Sequence, residues 1–400
     1  MVKQSNVLLI YTDDQRFDTI AALGNPHIKT PNYDRLVARG TAFTRAAIMG
    51  GSCGAVCMPS RAMLHTGRTL YHIEKMGQTI DEDHTMIGQH LAAHGYHTWG
   101  CGKWHNGCKA FNRAFADGDE LFFGGMTDHW NVPANHYDPT GEYATRIPIC
   151  PDPLHSKKVQ MRQADHIVSG KHSSELLADA TVKFIETYDR DEPFFAYMAT
   201  LAPHDPRVMP QPWLDMYDID QIELPANFMT EHPFDNGELI VRDEQLAATP
   251  RDEAEIREHI RDYYAMISHL DHEIGRVLDA LDASGKADDT IVVLAGDNGL
   301  AVGRHGLMGK QSLYEHSIRV PLIMAGPGVP QGQMRNALCY VIDIYPTLCN
   351  LLGLATPESV EGVSLKPVLD DDTATVRDVL HYAYRGYQRA VTDGKHKLIA

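Results

Sequence analysis

The chain has 400 residues, 43% of them apolar, and a formal net charge of -17. That length accommodates one large α/β domain, or a large domain with a small one, and the acidic balance argues against nucleic acid or an anionic membrane surface as a partner. No run approaches the ~20 apolar residues of a membrane span, and the seven cysteines (Cys53, Cys57, Cys101, Cys108, Cys150, Cys339, Cys349) form no disulfide framework. Free, mostly buried thiols are expected, although Cys101 and Cys108 flank a short loop and could pair in an exported protein. Val7–Ile10 is too short for the apolar core of a signal peptide and runs straight into Asp13 and Asp14. The expected location is the cytoplasm, or the periplasm or exterior if a leader has been removed.

Short apolar strands alternate with helical patterns, the mark of an α/β sheet covered on both faces. Strands are predicted over 6–12, 97–100, 194–200, 291–295 and 321–324. Between the first two, Pro59 suits the first position of a short helix and Gly67 the residue just past its end. Ser173 or Ser174 can cap a helix with an apolar face of Leu176, Leu177, Ala180, Phe184 and Ile185. A longer helix, 253–283, carries the stripe Ile256, Ile260, Tyr263, Ile267, Leu270, Ile274, Val277, Leu278 and Leu281, and Ser284-Gly285 stops it. Segments 106–170 and 205–250 lack regular periodicity and read as long insertions framing a pocket. A catalytic domain is expected over 1–369. From 370 a small C-terminal α+β subdomain begins, with an antiparallel strand pair at 379–384 and 388–392. The last residues, 395–400, read as the middle of a strand, so the chain is expected to run on.

Four polar motifs follow the carboxyl ends of predicted strands, the edge of an open α/β sheet where ligands bind. They are Asp13-Asp14, Lys103-Trp104-His105, His204-Asp205-Pro206-Arg207 and Asp297-Asn298. The two acid-containing pairs offer only oxygen donors, which suits Ca²⁺ or Mg²⁺ better than zinc and does not separate those two. An acidic protein must hold any anionic substrate with local cations. Cys57 sits at the start of a short helix, where free N–H groups and the helix dipole favour an anion.

The run Cys57-Met58-Pro59-Ser60-Arg61, with Thr66-Gly67-Arg68 after it, resembles the maturation signature of the formylglycine-dependent (type I) sulfatases. The elements Gly102-Lys103-Trp104-His105 and His305-Gly306-Leu307-Met308-Gly309-Lys310 are similar to further motifs of that family. The resemblance implies the alkaline-phosphatase-like α/β/α sandwich with a large mixed sheet. It also implies that a maturation enzyme oxidises Cys57 to an aldehyde, whose hydrate is the nucleophile. On the same basis Asp13, Asp14, Asp297 and Asn298, with the group at position 57, hold the metal, Ca²⁺ or Mg²⁺. Arg61 and Lys103 stabilise the hydrate, His105 helps break down the sulfated intermediate, and His204 and Lys310 hold the sulfate and protonate the leaving group. The implied substrate is a sulfated carbohydrate. The run 202–207 suggests a uronic-acid sugar from glycosaminoglycan breakdown, with Arg207 gripping its carboxylate. Lys171, His172 and His305 are further candidate substrate contacts. A phosphonate monoester or phosphodiester hydrolase of the same superfamily, and a non-catalytic sugar-binding relative, are the competing readings.

Overall fold

A computed structural model of the chain describes residues 4–152 and 154–400. Its centre is an eight-stranded sheet. In spatial order the strands are Gln333–Arg335, Gly40–Phe43, Leu322–Ala325, Thr290–Gly296, Asn6–Thr12, Phe194–Ala199, His97–Lys103 and Asp117–Phe122. Every neighbouring pair is parallel except the two made by Leu322–Ala325, so the sheet is mixed.

The central strands are apolar along their whole length because both faces are covered. In Asn6–Thr12 every residue is buried. Side chains alternate between faces: Val7, Leu9 and Tyr11 enter one core and Leu8 and Ile10 the other. Helices Pro31–Arg39, Ser173–Thr187 and Glu253–Ala283 pack in the second core, and Cys57–Thr66, Ile87–Ala93, Cys108–Ala114 and Ile344–Leu351 in the first. The result is the α/β/α sandwich. Among the described residues no helix is long and apolar enough to cross a membrane.

Several local expectations need correction. Strand His97–Lys103 runs three residues further than predicted, so Lys103 ends the strand itself. The short helix begins at Cys57, making Pro59 its third residue. Proline is tolerated there because the first-turn N–H groups have no intrahelical acceptor. Gly67 does end that helix, at φ 65°, and donates its N–H to Met63 O at 2.8 Å. Helix Ser173–Thr187 is capped by His172, whose Nδ1 accepts from Ser174 N, and not by a serine. Segment 106–170 is not wholly an insertion, since it contains helix Cys108–Ala114 and the sheet's edge strand, Asp117–Phe122. Beyond that edge lie two hairpins, Asn131–Ala134 with His166–Ser169 and Arg146–Ile149 with Gln160–Gln163. All seven cysteines are free, and Cys101 and Cys108 are unpaired. At the C-terminus, Leu380–Tyr384, Gln388–Thr392 and Lys397–Ile399 form an antiparallel sheet that takes Gly50–Gly51 as a fourth strand. That small sheet therefore braces the segment leading to Cys57.

The helix Pro31–Arg39 receives no side-chain cap from its own Thr30. Asp271 of the long helix serves instead, accepting from Tyr33 N at 2.7 Å and from Asn32 N at 3.1 Å. Burial pushes its carboxyl up to about 6, with the Tyr33 and Asn32 amides acting in the opposite direction. Asp271→Ala strands those two amides and is expected to cost ~1–3 kcal/mol in urea unfolding. A carboxyl with a raised folded pKa stabilises the fold most at low pH and loses that contribution as pH rises from 3.8 through about 6. The difference between wild type and variant is therefore expected to be larger at pH 5 than at pH 7.

Candidate active site

Four adjacent parallel strands end at one level, because Thr12 pairs with Gly296, Tyr11 with Ala199, and Ala199 with Gly102. This register brings Asp13-Asp14, Asp297-Asn298, Lys103-His105 and His204 to one edge. Helix Cys57–Thr66 delivers Cys57 and Arg61 from the first layer, and the 300–314 loop delivers Lys310.

The charges there are fully paired and nearly removed from water; none of the six principal side chains exceeds 3% exposure. Arg61 holds Asp297 Oδ2 through Nη2 at 2.8 Å and Nε at 3.0 Å, and donates Nη1 to Lys103 O at 2.7 Å. Lys103 Nζ meets Asp13 Oδ2 at 2.5 Å, and Lys310 Nζ meets Asp14 Oδ1 at 2.6 Å. Cys57 Sγ lies 3.5 Å from both Lys103 Nζ and His105 Nδ1. His204 donates Nδ1–H to Asp205 O at 2.8 Å, which leaves Nε2 facing Asp14 Oδ2 at 3.6 Å.

These pairings set the protonation states. Burial alone would raise Asp13, but Lys103, His204 and Arg61 hold it well below the usual carboxylate range. Burial and then Asp13 push Asp297 the other way, against Arg61 and Lys103. His105 is driven well below the ordinary imidazole value by burial, then by Lys103 and Arg61, so it is neutral. Burial raises the Cys57 thiol to about 11, although Lys103 and Lys310 act to lower it. A buried protonated thiol is a poor nucleophile.

The residues fit a hard divalent cation. Asp13 Oδ1, Asp14 Oδ2 and Asn298 Oδ1 are buried without any hydrogen-bond partner, and orphaned buried oxygens are costly unless something ligates them. Ligand atoms of Asp13, Cys57 and Asp297 also lie within 4.8 Å of one another. Asp14 is held at φ 61°, a region Asp enters more readily than most residues. Tyr263 of the long helix fixes it there, donating its hydroxyl to Asp14 O at 2.6 Å and accepting from Arg16 N at 2.8 Å.

The site opens into a cavity of about 310 Å³ lined by Cys57, His105, Met126, His204, Arg242 and Lys310 among others. Arg242 was not singled out from the sequence. It lies in an irregular stretch with no strand end or motif to mark it, and its guanidinium pairs with Asp205 and, at 2.9 Å, with Asp243. Tyr263 was read only as part of an apolar stripe. Three candidate substrate residues lie elsewhere. Arg207 donates Nη1–H to His259 Nδ1 at 2.8 Å and stacks over Tyr263. His172 is buried, with Nδ1 capping its helix and Nε2 on Val208 O. His305 stacks on Tyr314 and bonds Asn227. None of the three lines the cavity. Lys171 is paired with Asp179 at 2.5 Å.

A buried cysteine thus lies beside a cradle of orphaned oxygens and paired cations, at the carboxyl edge of a mixed sheet with the alkaline-phosphatase-like fold. The chain belongs to the Sulfatase family, whose model matches residues 5–354, and it is a sulfuric ester hydrolase. That family uses a divalent metal and a formylglycine. An N-acetylglucosamine-6-O-sulfatase of Bacteroides thetaiotaomicron is 26% identical over 446 residues, covering 96% of this chain and 74% of the relative. A solved structure in complex with its substrate, D-glucosamine-2-N,6-O-disulfate, superposes with a TM-score of 0.75 at 23% identity, covering 99% of this chain and 88% of the other. A phosphonate monoester hydrolase of Agrobacterium radiobacter also gives 0.75, at 21% identity and 99% and 87% coverage. At those identities the two structures speak for the fold alone.

With Tyr263 fixing Asp14, Tyr263→Phe is expected to weaken divalent-cation binding by roughly 10–100-fold, the usual effect of removing an outer partner of a metal ligand. Calorimetric titration of the metal-free variant checks this, and far-UV circular dichroism is expected to be unchanged.

Proposed function

We propose that this sulfatase removes sulfate from a sulfated carbohydrate, with Cys57 the precursor of its nucleophile and Ca²⁺ (Mg²⁺ the alternative) held by Asp13, Asp14, Asp297 and Asn298. The observation that carries the reading is Cys57 itself, on the cavity floor between Lys103, His105 and the orphaned oxygens. When bound, the cation supplies a Lewis acid, and the aldehyde hydrate made from Cys57 supplies the nucleophile.

The chain's own residues do the rest. Arg61 is a fixed buried cation that holds Asp297 in place and helps offset the negative charge of the cradle. Neutral His105, with Nδ1 toward the side chain at position 57, is in the state of a proton acceptor. His204 Nε2 and Lys310 Nζ face the cavity, where they bind sulfate oxygens and deliver a proton to the departing alcohol. Arg61, Lys103 and Lys310 balance Asp13, Asp14 and Asp297 in formal charge. A divalent cation added to that set leaves the site positive, as an anionic ester requires.

The uronate reading loses its residue, since Arg207 is turned toward His259 and Tyr263. Arg242, at the cavity wall, is already paired with Asp205 and Asp243. The proposed substrate is therefore an amino-sugar 6-O-sulfate, a preference supported by the relative that acts as an N-acetylglucosamine-6-O-sulfatase.

Turnover of N-acetylglucosamine 6-sulfate is expected to exceed that of a uronate 2-O-sulfate and of a phosphonate monoester. A faster phosphonate reaction would overturn the assignment. The mass of the Cys57 peptide, from protein made with an active maturation enzyme, is expected to show the loss that accompanies thiol-to-aldehyde conversion. Lys310→Ala is expected to lower kcat roughly 10²–10³-fold.

A further inference from the structure

Beyond the edge strand a second group of ligating side chains converges, and none of them lines the active-site cavity. We propose that His136, Asp165 and His166 form a binding site for a divalent transition ion of the zinc type, with Glu120 fixing one of the histidines.

The topology assembles it. Strands Asn131–Ala134 and His166–Ser169 pair with Ala134 opposite His166, so His136 emerges beside the start of the second strand. Asn135 and Leu121 exchange backbone hydrogen bonds of 2.8 and 2.9 Å, which ties this hairpin to the edge strand and brings Glu120 alongside. There the edge strand slips register against His97–Lys103.

The donor atoms are aimed at one point. Nδ1 of His136 and Nδ1 of His166 both contact Asp165 Oδ1, the former at 3.2 Å. Ligand atoms of the three residues all lie within 4.8 Å. Two of the three ligands are also held from behind. Asp165 Oδ2 accepts from His136 N at 3.0 Å, which leaves Oδ1 toward the two imidazoles. His166 donates Nε2–H to Glu120 Oε2 at 3.0 Å, the carboxylate–histidine arrangement that fixes the tautomer and orientation of a metal-binding imidazole. An ion entering here displaces the protons that the two Nδ1 atoms share with Asp165.

Two imidazoles and a carboxylate favour zinc-type ions over calcium or magnesium. Glu120 and His166 are 16% and 23% exposed, Asp165 33% and His136 67%, so the supporting side is half-buried and the entry side open. The bound ion would tie the two outer strands to each other, with Glu120 linking His166 to the edge of the main sheet.

The test is titration of the Ca²⁺-saturated full chain with Zn²⁺. Wild type is expected to take up one Zn²⁺ per chain more than His136→Ala or His166→Ala, and Zn²⁺ is expected to raise the Tm of wild type but not of His136→Ala. Glu120→Gln is expected to weaken uptake 10–100-fold. His136 is mostly exposed, so its replacement leaves the fold intact. Zn²⁺ uptake that is absent from wild type, or identical in wild type and His136→Ala, would overturn the site. With Co²⁺, a thiolate charge-transfer band lost in the histidine variants would also overturn it, because no cysteine belongs to this cluster.

Discussion

Burying three carboxylates and three cations at the ends of four strands is the constraint around which this protein is built. Each ion costs several kcal/mol to remove from water, and it is tolerated only with a partner in good geometry. Arg61 with Asp297, Lys103 with Asp13, and Lys310 with Asp14 meet that condition. The register of the parallel strands makes the pairings possible, because the strands present their last residues side by side. A slip along the Asn6–Thr12 pairings would separate Asp13 from Lys103 and strand both charges. The sheet, the short helix carrying Arg61 and the loop carrying Lys310 are therefore mutually fixed.

The same arrangement explains how a chain of net charge -17 can serve an anionic ester. The acidic surface does not attract sulfate, so attraction must be local. Paired charges alone leave the site close to neutral. The oxygens of Asp13, Asp14 and Asn298 are left without hydrogen-bond partners, and on the proposed reading a divalent cation held there turns the cavity positive. Cation binding and anion binding are linked by electrostatics before any chemistry begins.

Much of this was legible in the sequence, and the limits have a physical origin. Continuous apolar runs identified the central strands, and the stripe from Ile256 to Leu281 identified the long helix with its bounds, Glu253–Ala283. Those signals are local. The polar motifs could be assigned to one edge because α/β topology sends successive parallel strands the same way. The partners could not be read, because Arg61 and Asp297 are 236 residues apart, and Tyr263 and Asp14 are 249 apart. Tyr263 was hidden by its own stripe, since a core tyrosine with a structural hydroxyl has the same spacing as one without. His172 was misread for a related reason. Its burial and its role as a helix cap depend on the stacked His129 ring and on Val208 O, neither of which is near it in sequence.

The two proposed cation sites differ in a way that follows from where they are built. At the sheet's carboxyl edge the ligands are mainly oxygens, buried and enclosed by ion pairs, which favours a hard ion that stays resident. On the outer hairpin the ligands include two imidazoles and the site is open on one side, which favours a zinc-type ion that exchanges with solvent. The paired charges come from strand ends, one helix and the loop that carries Lys310. The cavity wall comes largely from irregular segments around Met126 and Arg242. The second of these also holds the loop beneath it, since Glu244 accepts from Met308 N at 2.9 Å and Gly309 N at 2.8 Å, and Asp243 Oδ2 accepts from Gln311 Nε2 at 2.7 Å. The charge pairings are thus fixed together by the sheet, by the short helix and by a loop that the cavity wall itself braces.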